Sequence, residues 1–191
     1  PGARSRVANL RIFMEALQLL HRYLDPYPGL FDIVYSHGRS VSNKALEIMD
    51  LHPEIQADRK FVEEAALLHD IGVYKTYAPE IACFGSLPYI CHGYLGADLL
   101  REEGYGRHAL VCERHTGAGI SLRDIVDKEL PLPRRDMLPV SIEEQLICFA
   151  DKFFSKTELL KERSVAEARH KLERFGAEGL ERFDFWCKSF L

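Results

Sequence analysis

The stretch Glu63–Thr76, EEAALLHDIGVYKT, decides how the chain is read. Ala65, Ala66, Leu67 and Leu68 form an apolar run suited to a buried helix. His69 and Asp70 then arrive side by side, followed by Ile71 and Gly72. Buried ionisable groups are costly unless a partner charge, a hydrogen-bond network or a metal ion compensates them. An apolar helix that ends in an imidazole beside a carboxylate therefore calls for one of the three.

Upstream of this stretch, Asp58 is placed to cap the helix, which carries Phe61, Ala65 and Leu68 on one face. An earlier helix is expected to start near His37 and run through Val41, Ala45, Ile48 and Met49, stopping before HPEI. The first helix reads from VANLRIFMEALQLLHRYL, with Val7, Leu10, Met14, Leu17 and Leu20 on one face, and DPYPG ends it. Downstream, APEIACFGSLPY is rich in turn-formers. HGYLGADLLREEG predicts a helix that opens at His92 and closes at Gly104. RHALVCERHTGAG predicts a short one stopped by Gly117 and Gly119.

The segment from Ser121 to Pro139 is the least regular, with Pro131, Pro133, Pro139 and the pair Arg134–Arg135. Ser141 with Glu144, and Ser164 with Glu167, have the spacing of capping boxes. The first box opens a helix that runs through Leu146, Ile147, Phe149 and Ala150 to Asp151, and the second a helix ending at Gly176. The final LERFDFWCKSFL reads as an amphipathic helix that packs on the domain or on a second subunit, so a homodimer is one expectation. Strand signals are almost absent. One all-α domain over residues 1–191 is expected, with a core at about 30–160 and a helical extension at about 161–191.

The formal charge is −4 with no long basic run, which argues against a nucleic-acid partner. A local cationic site for a small anion remains compatible with it. The five cysteines are odd in number and form no CxxC pair, so neither a disulfide framework nor a thiolate zinc site is expected. No run has the length of a membrane span, and the N-terminus lacks a signal-peptide core. The expected location is the cytoplasm, away from membranes.

His69 and Asp70 have potential company. His37 and His92 are expected at helix openings, His115 at a helix close and Asp151 within an apolar helix. Helix ends in an α-bundle can converge, and a mixed imidazole and carboxylate set suits iron, manganese, zinc, nickel or cobalt better than calcium or magnesium. A carboxylate has two oxygens, so Asp70 can bridge two ions where an imidazole cannot. His37, His69, Asp70 and Asp151 would hold the first ion, and Asp70, His92 and His115 the second. Gly72 is read as a turn that leaves the site open to solvent. A buried ion-pair network, or a one-ion site with two bystander histidines, would give a similar sequence.

The ordered blocks His37, His69–Asp70 in HDIG and Asp151 resemble the HD superfamily of metal-dependent phosphohydrolases. The resemblance spans roughly His37 to Lys156. His92 and His115 add the pair found in its binuclear branches. HGYLGADLL, RHTGAG and FADKF look like the ligand segments of small HDIG proteins, a group that includes dinucleoside tetraphosphate hydrolases. This resemblance implies an HD helical bundle, two divalent ions and a shared hydroxide that attacks phosphorus in a small phosphorylated substrate such as a nucleotide. It names Asp70 as catalytic. Lys75, just beyond the motif, and Arg114, beside His115, become candidates for neutralising phosphate, with Arg39 a further one. His108 shares a helical face with His115 and is a candidate for the pocket lining. His21, His52 and His170 read as ordinary surface histidines. A non-catalytic sensor of nucleotide or metal on the same fold is the alternative.

Overall fold

A computed structural model describes residues 15–191. Val7, Leu10 and Met14 of the expected first helical face lie outside the described residues. The described residues are all-α, apart from a two-residue antiparallel pairing of β1 (Tyr77–Ala78) with β2 (Cys83–Phe84) and a few isolated bridges. Strands this short leave no period-two signal in a sequence. The first helix, α1, is helical over 15–24.

The second helix, α2 (Leu30–Leu51), starts a full seven residues before His37. Its N-cap is Gly29 at φ 80°, a left-handed position that glycine adopts without a Cβ penalty. Leu30, Val34, His37, Val41, Ala45 and Ile48 are buried at three- and four-residue spacing. His37 therefore does not open its helix, as the sequence had indicated. It occupies a core-face position in the middle, and the helix geometry aims its ring into the bundle.

The helix before the HD pair, α3 (Arg59–Leu68), is capped as expected, with Asp58 accepting from the Phe61 N–H. His69 is its C-cap. A 3-10 turn over Ile71–Lys75 follows. Gly72 is buried in that turn, and a Cβ there would collide with the His92 carbonyl oxygen and the Gly96 nitrogen. Its role is thus close packing of the turn against α4 (His92–Glu102), in place of the open exit expected from sequence.

Next come α5 (Gly106–Arg114), α6 (Leu122–Asp127), α7 (Ile142–Asp151), α8 (Val165–Leu172) and α9 (Ala177–Phe190). Ser141 accepts from the Glu144 N–H, but the Glu144 carboxylate turns to the Val140 N–H and to Arg114, so only half of that capping box forms. The Ser164–Glu167 box is complete.

Two large apolar clusters hold the bundle. One joins α2, α3 and α7 to Ala168, Leu172, Phe183, Trp186 and Phe190, so α8 and α9 share the core of the preceding helices. The other joins α1, the start of α2, α4, α5 and the 71–83 segment. α3 feeds both, with Ala65 and Ala66 in the first and Leu67 and Leu68 in the second. The face of α9 that the sequence left between two destinations packs within the chain: Trp186 is 1% exposed and donates to Gln145 Oε1. Phe185 instead points outward at 63% exposure.

Candidate metal centre

The structure brings all six predicted His and Asp residues to one place. They form two groups of converging donor atoms, His37–His69–Asp70–Asp151 and Asp70–His92–His115, with Asp70 in both. Asp70 is fully buried and its two oxygens divide the site. Oδ2 lies 2.9 Å from His69 Nε2 and 3.3 Å from His37 Nε2. Oδ1 lies 3.3 Å from His92 Nε2 and 3.4 Å from His115 Nε2. Asp151 Oδ1 is 2.8 Å from His37 Nε2 and 3.5 Å from His69 Nε2.

Local backbone fixes the histidines. His69 Nδ1–H donates to the Ala66 carbonyl at 2.6 Å, His92 to Tyr89 at 2.6 Å and His115 to Cys112 at 2.7 Å. Each bond reaches back three residues, to a carbonyl of the preceding turn. A ring nitrogen facing a carbonyl must carry the proton, which leaves Nε2 as the outward-facing atom in all three rings. This is the usual way a ligating imidazole is oriented by its surroundings.

Electrostatics follow from burial and the shared carboxylates. Burial drives the His92 pKa down to about 3 against the pull of Asp70, and burial also lowers His115. Burial would lower His69 too, but Asp70 and Asp151 outweigh it and push that ring up to about 9. Burial tends to raise both carboxyls. For Asp70, His69 and Lys156 reverse this, and for Asp151, Lys152 and His37 do, so both are held well below the usual carboxylate range.

These observations test whether metal ions fit. His92 and His115 are neutral rings with Nδ1–H already committed, and their Nε2 atoms lie only 3.0 Å apart. Both present lone pairs to the same point, an arrangement that a cation compensates. His69 Nε2 and both Asp70 oxygens also lack a hydrogen bond of good geometry. Donors about 2.1 Å from a shared ion are themselves about 3 Å apart, which matches the separations here. The set has no thiolate, as a site for a transition metal with nitrogen and oxygen ligands requires none.

Two lysines missed in the sequence complete the centre. Lys156 Nζ lies 2.5 Å from Asp70 Oδ2 and 5.8 Å from the centroid of the Tyr89 ring. Lys152 Nζ lies 2.7 Å from Asp151 Oδ2 and donates to the His115 carbonyl at 2.9 Å. The signal was present only as the lysines of FADKFFSK, directly after a predicted ligand. The tyrosine Tyr89 stacks on His92 with ring centroids 4.6 Å apart, and burial raises its phenol to about 12.

The other candidates stand elsewhere. A cavity of about 570 Å³ opens over the centre, lined by His37, His92, His115, Asp151, Lys152 and Lys156 among others. Lys75, Arg114, Arg39 and His108 do not line it. The Lys75 ammonium sits 5.8 Å from the centroid of the Tyr74 ring. Arg114 pairs with buried Glu144 at 2.9 Å, and Arg39 with Glu63 at 3.1 Å. His108 contacts Phe61 and Tyr105 edge-on and faces Glu64 at 3.4 Å. Helical spacing puts His108 on the side of α5 that meets α3, two turns away from the centre. His21, His52 and His170 face nearby carboxylates of Asp25, Glu54 and Glu173 at the surface.

Fold and site together define an α-helical protein with a buried His/Asp centre able to hold metal. A family model described as HD domain matches residues 34–155, and the chain belongs to that family. An uncharacterized protein of Methanocaldococcus jannaschii is 34% identical over 127 residues, 66% of this chain and 62% of that protein. A tRNA (cytidine(56)-2'-O)-methyltransferase of Thermoplasma volcanium is 33% identical over 156 residues, 81% of this chain and 40% of that protein. One of the same name from Picrophilus torridus is 31% identical over 137 residues, 71% of this chain and 36% of that protein. The chain thus spans less than two thirds of each of these relatives. No solved structure matches it significantly. No helix among the described residues is long and apolar enough to cross a membrane.

Proposed function

We propose that the chain is a metal-dependent phosphohydrolase with a two-ion centre. It cleaves a phosphate ester or phosphoanhydride of a nucleotide or another small phosphorylated metabolite. The observation that carries this reading is the facing pair of His92 and His115 Nε2 atoms on one side of Asp70, opposite a four-residue group on the other. A single ion in the four-residue group would leave His92 and His115 without a ligand role. His37, His69, Asp70 and Asp151 would hold one divalent ion, and Asp70, His92 and His115 the other. Bound there, such ions supply Lewis acidity and lower the pKa of a coordinated water.

The remaining work falls to the protein's own side chains. Lys156 and Lys152 place two ammonium groups at the cavity floor, where a phosphoryl group's charge needs neutralising. Tyr89 stays protonated at neutral pH, so its O–H is available as a donor toward the cavity it lines. The buried floor limits water around these charges, which strengthens each interaction. The methyl transfer named for two relatives is not carried over, because the chain covers well under half of each.

The test is turnover of a phosphatase and nucleotidase panel by anaerobically purified protein reconstituted with iron, manganese, nickel or cobalt. Metal-dependent hydrolysis that disappears in Asp70→Ala supports the reading and removes the sensor alternative. Protein that takes up no metal and gains no activity on reconstitution contradicts it.

A further inference from the structure

The cavity extends well beyond its metal-binding floor, and part of its outer wall comes from chain that the HD family match does not reach. That match stops at residue 155, whereas Arg163, Lys171, Leu172, Arg174 and Phe175 also line the cavity. This wall is fixed to the centre. The Phe175 ring sits on Gly117, where a Cβ would come within 3.0 Å of it, two residues after His115. Lys128 Nζ donates to the Phe175 carbonyl at 2.9 Å, and Arg182 donates to the Ala118 carbonyl at 2.7 Å.

Six basic residues line the cavity, and four have their charge or donors committed. Lys152 and Lys156 face Asp151 and Asp70. Lys128 faces Asp124 at 2.5 Å. Arg163 donates to the Phe154 carbonyl at 2.7 Å. Lys171 and Arg174 remain. They are three residues apart, both exposed, and neither has a carboxylate partner among the described residues. The Arg174 guanidinium lies 4.9 Å from the centroid of the Phe175 ring, a cation–π contact on the rim of the cavity. Between this cationic rim and the lysines of the floor, the wall is apolar, with Ile120, Leu130 and Leu172.

We infer that Lys171 and Arg174 form a second anion subsite, which selects substrates carrying two separated anionic groups with an apolar or aromatic body between them. The inference rests on the phosphohydrolase reading for the identity of the first anion. The floor engages the phosphoryl group to be cleaved, Phe175 and the apolar wall contact the middle, and the rim holds the second anion. Two exposed cations acting together amount to about a tenfold preference.

The metal-reconstituted full chain would be assayed on a matched pair, 1,4-phenylene bisphosphate, whose aromatic ring separates its two phosphates, and the monophosphate phenyl phosphate. The expected KM for the bisphosphate is about tenfold lower. In K171A/R174A that gap closes through the bisphosphate alone, with kcat and the monophosphate KM unchanged. Equal KM values in the unaltered protein, or a gap that survives in the double variant, overturn the inference while leaving the hydrolase reading intact. If neither compound is turned over, equilibrium dialysis compares their affinities. A gap that the double variant abolishes then upholds the subsite and counts against hydrolysis, and no gap overturns the subsite as well.

Discussion

His92 Nε2 lies 3.0 Å from His115 Nε2, with each ring's other nitrogen donating to the backbone carbonyl three residues earlier. Two neutral rings locked lone pair to lone pair are poorly arranged as a core and well arranged as ligands. Replacing either with glutamine removes one donor from the trio that includes Asp70. His92→Gln and His115→Gln should each hold about one ion per chain where the unaltered protein holds about two. Asp70→Ala, which strips a donor from both groups, should hold less than one. Plasma-emission metal analysis after gel filtration reads all three.

Lys156 approaches the centre and Lys75 does not. Lys156→Met should lower kcat by about a hundredfold while leaving metal content unchanged, as expected for loss of a charge aimed at the reacting group. Lys75→Ala should stay within about twofold of the unaltered enzyme, by the usual insensitivity of sites outside the cavity. Equal losses in the two variants would contradict the placement of either residue.

Arg114 has a structural job. Removing it leaves the buried Glu144 carboxylate with only the Val140 N–H of its two partners. Arg114→Ala should cost about 2–3 kcal/mol in urea unfolding. Its turnover per folded molecule should be preserved.

Gly72 is a packing requirement. Gly72→Ala drives a methyl group into the backbone of α4 at His92 and Gly96, where no flexible side chain can yield. The expected cost is about 3 kcal/mol, read as a lower urea midpoint. Because His92 itself is displaced, the second ion should be lost first.

Acid should act on His108 as well as on the centre. Burial first, then the charge of Arg107, lowers its pKa to about 4 in the folded chain, below the usual value near 6.5. The unfolded chain therefore binds the extra proton between about pH 6.5 and 4, and in that window stability falls as pH falls. His108→Gln should reduce the loss between those limits by about 2 kcal/mol, compared by urea titration at each end.

Much of the centre was legible because helix ends are written in local chemistry. Asp58 marks the start of α3 and His69 is its C-cap, His92 is the first residue of α4, and Gly117 and Gly119 follow His115 at the end of α5. His37 was harder to place. Prolines and a glycine in DPYPG made the break look longer than it is, and Gly29 restarts the chain at once as α2. Lys156 was invisible for a different reason. It lies past the end of α7 in an irregular stretch, where no periodicity says that its ammonium returns to Asp70. Gly72 was misread because a glycine that turns the chain and one that admits a neighbouring helix look alike in sequence. The lining of the outer cavity was unreadable, since it depends on how α8 docks on the loop after His115.

Whether Asp70 joins two ion sites can be read from anomalous diffraction by crystals of anaerobically reconstituted protein, collected at the absorption edge of the added metal. Two peaks are expected, one beside His37, His69 and Asp151 and the other beside His92 and His115, with Asp70 within bonding distance of both. A single peak that leaves His92 and His115 facing each other without metal would contradict the two-ion reading.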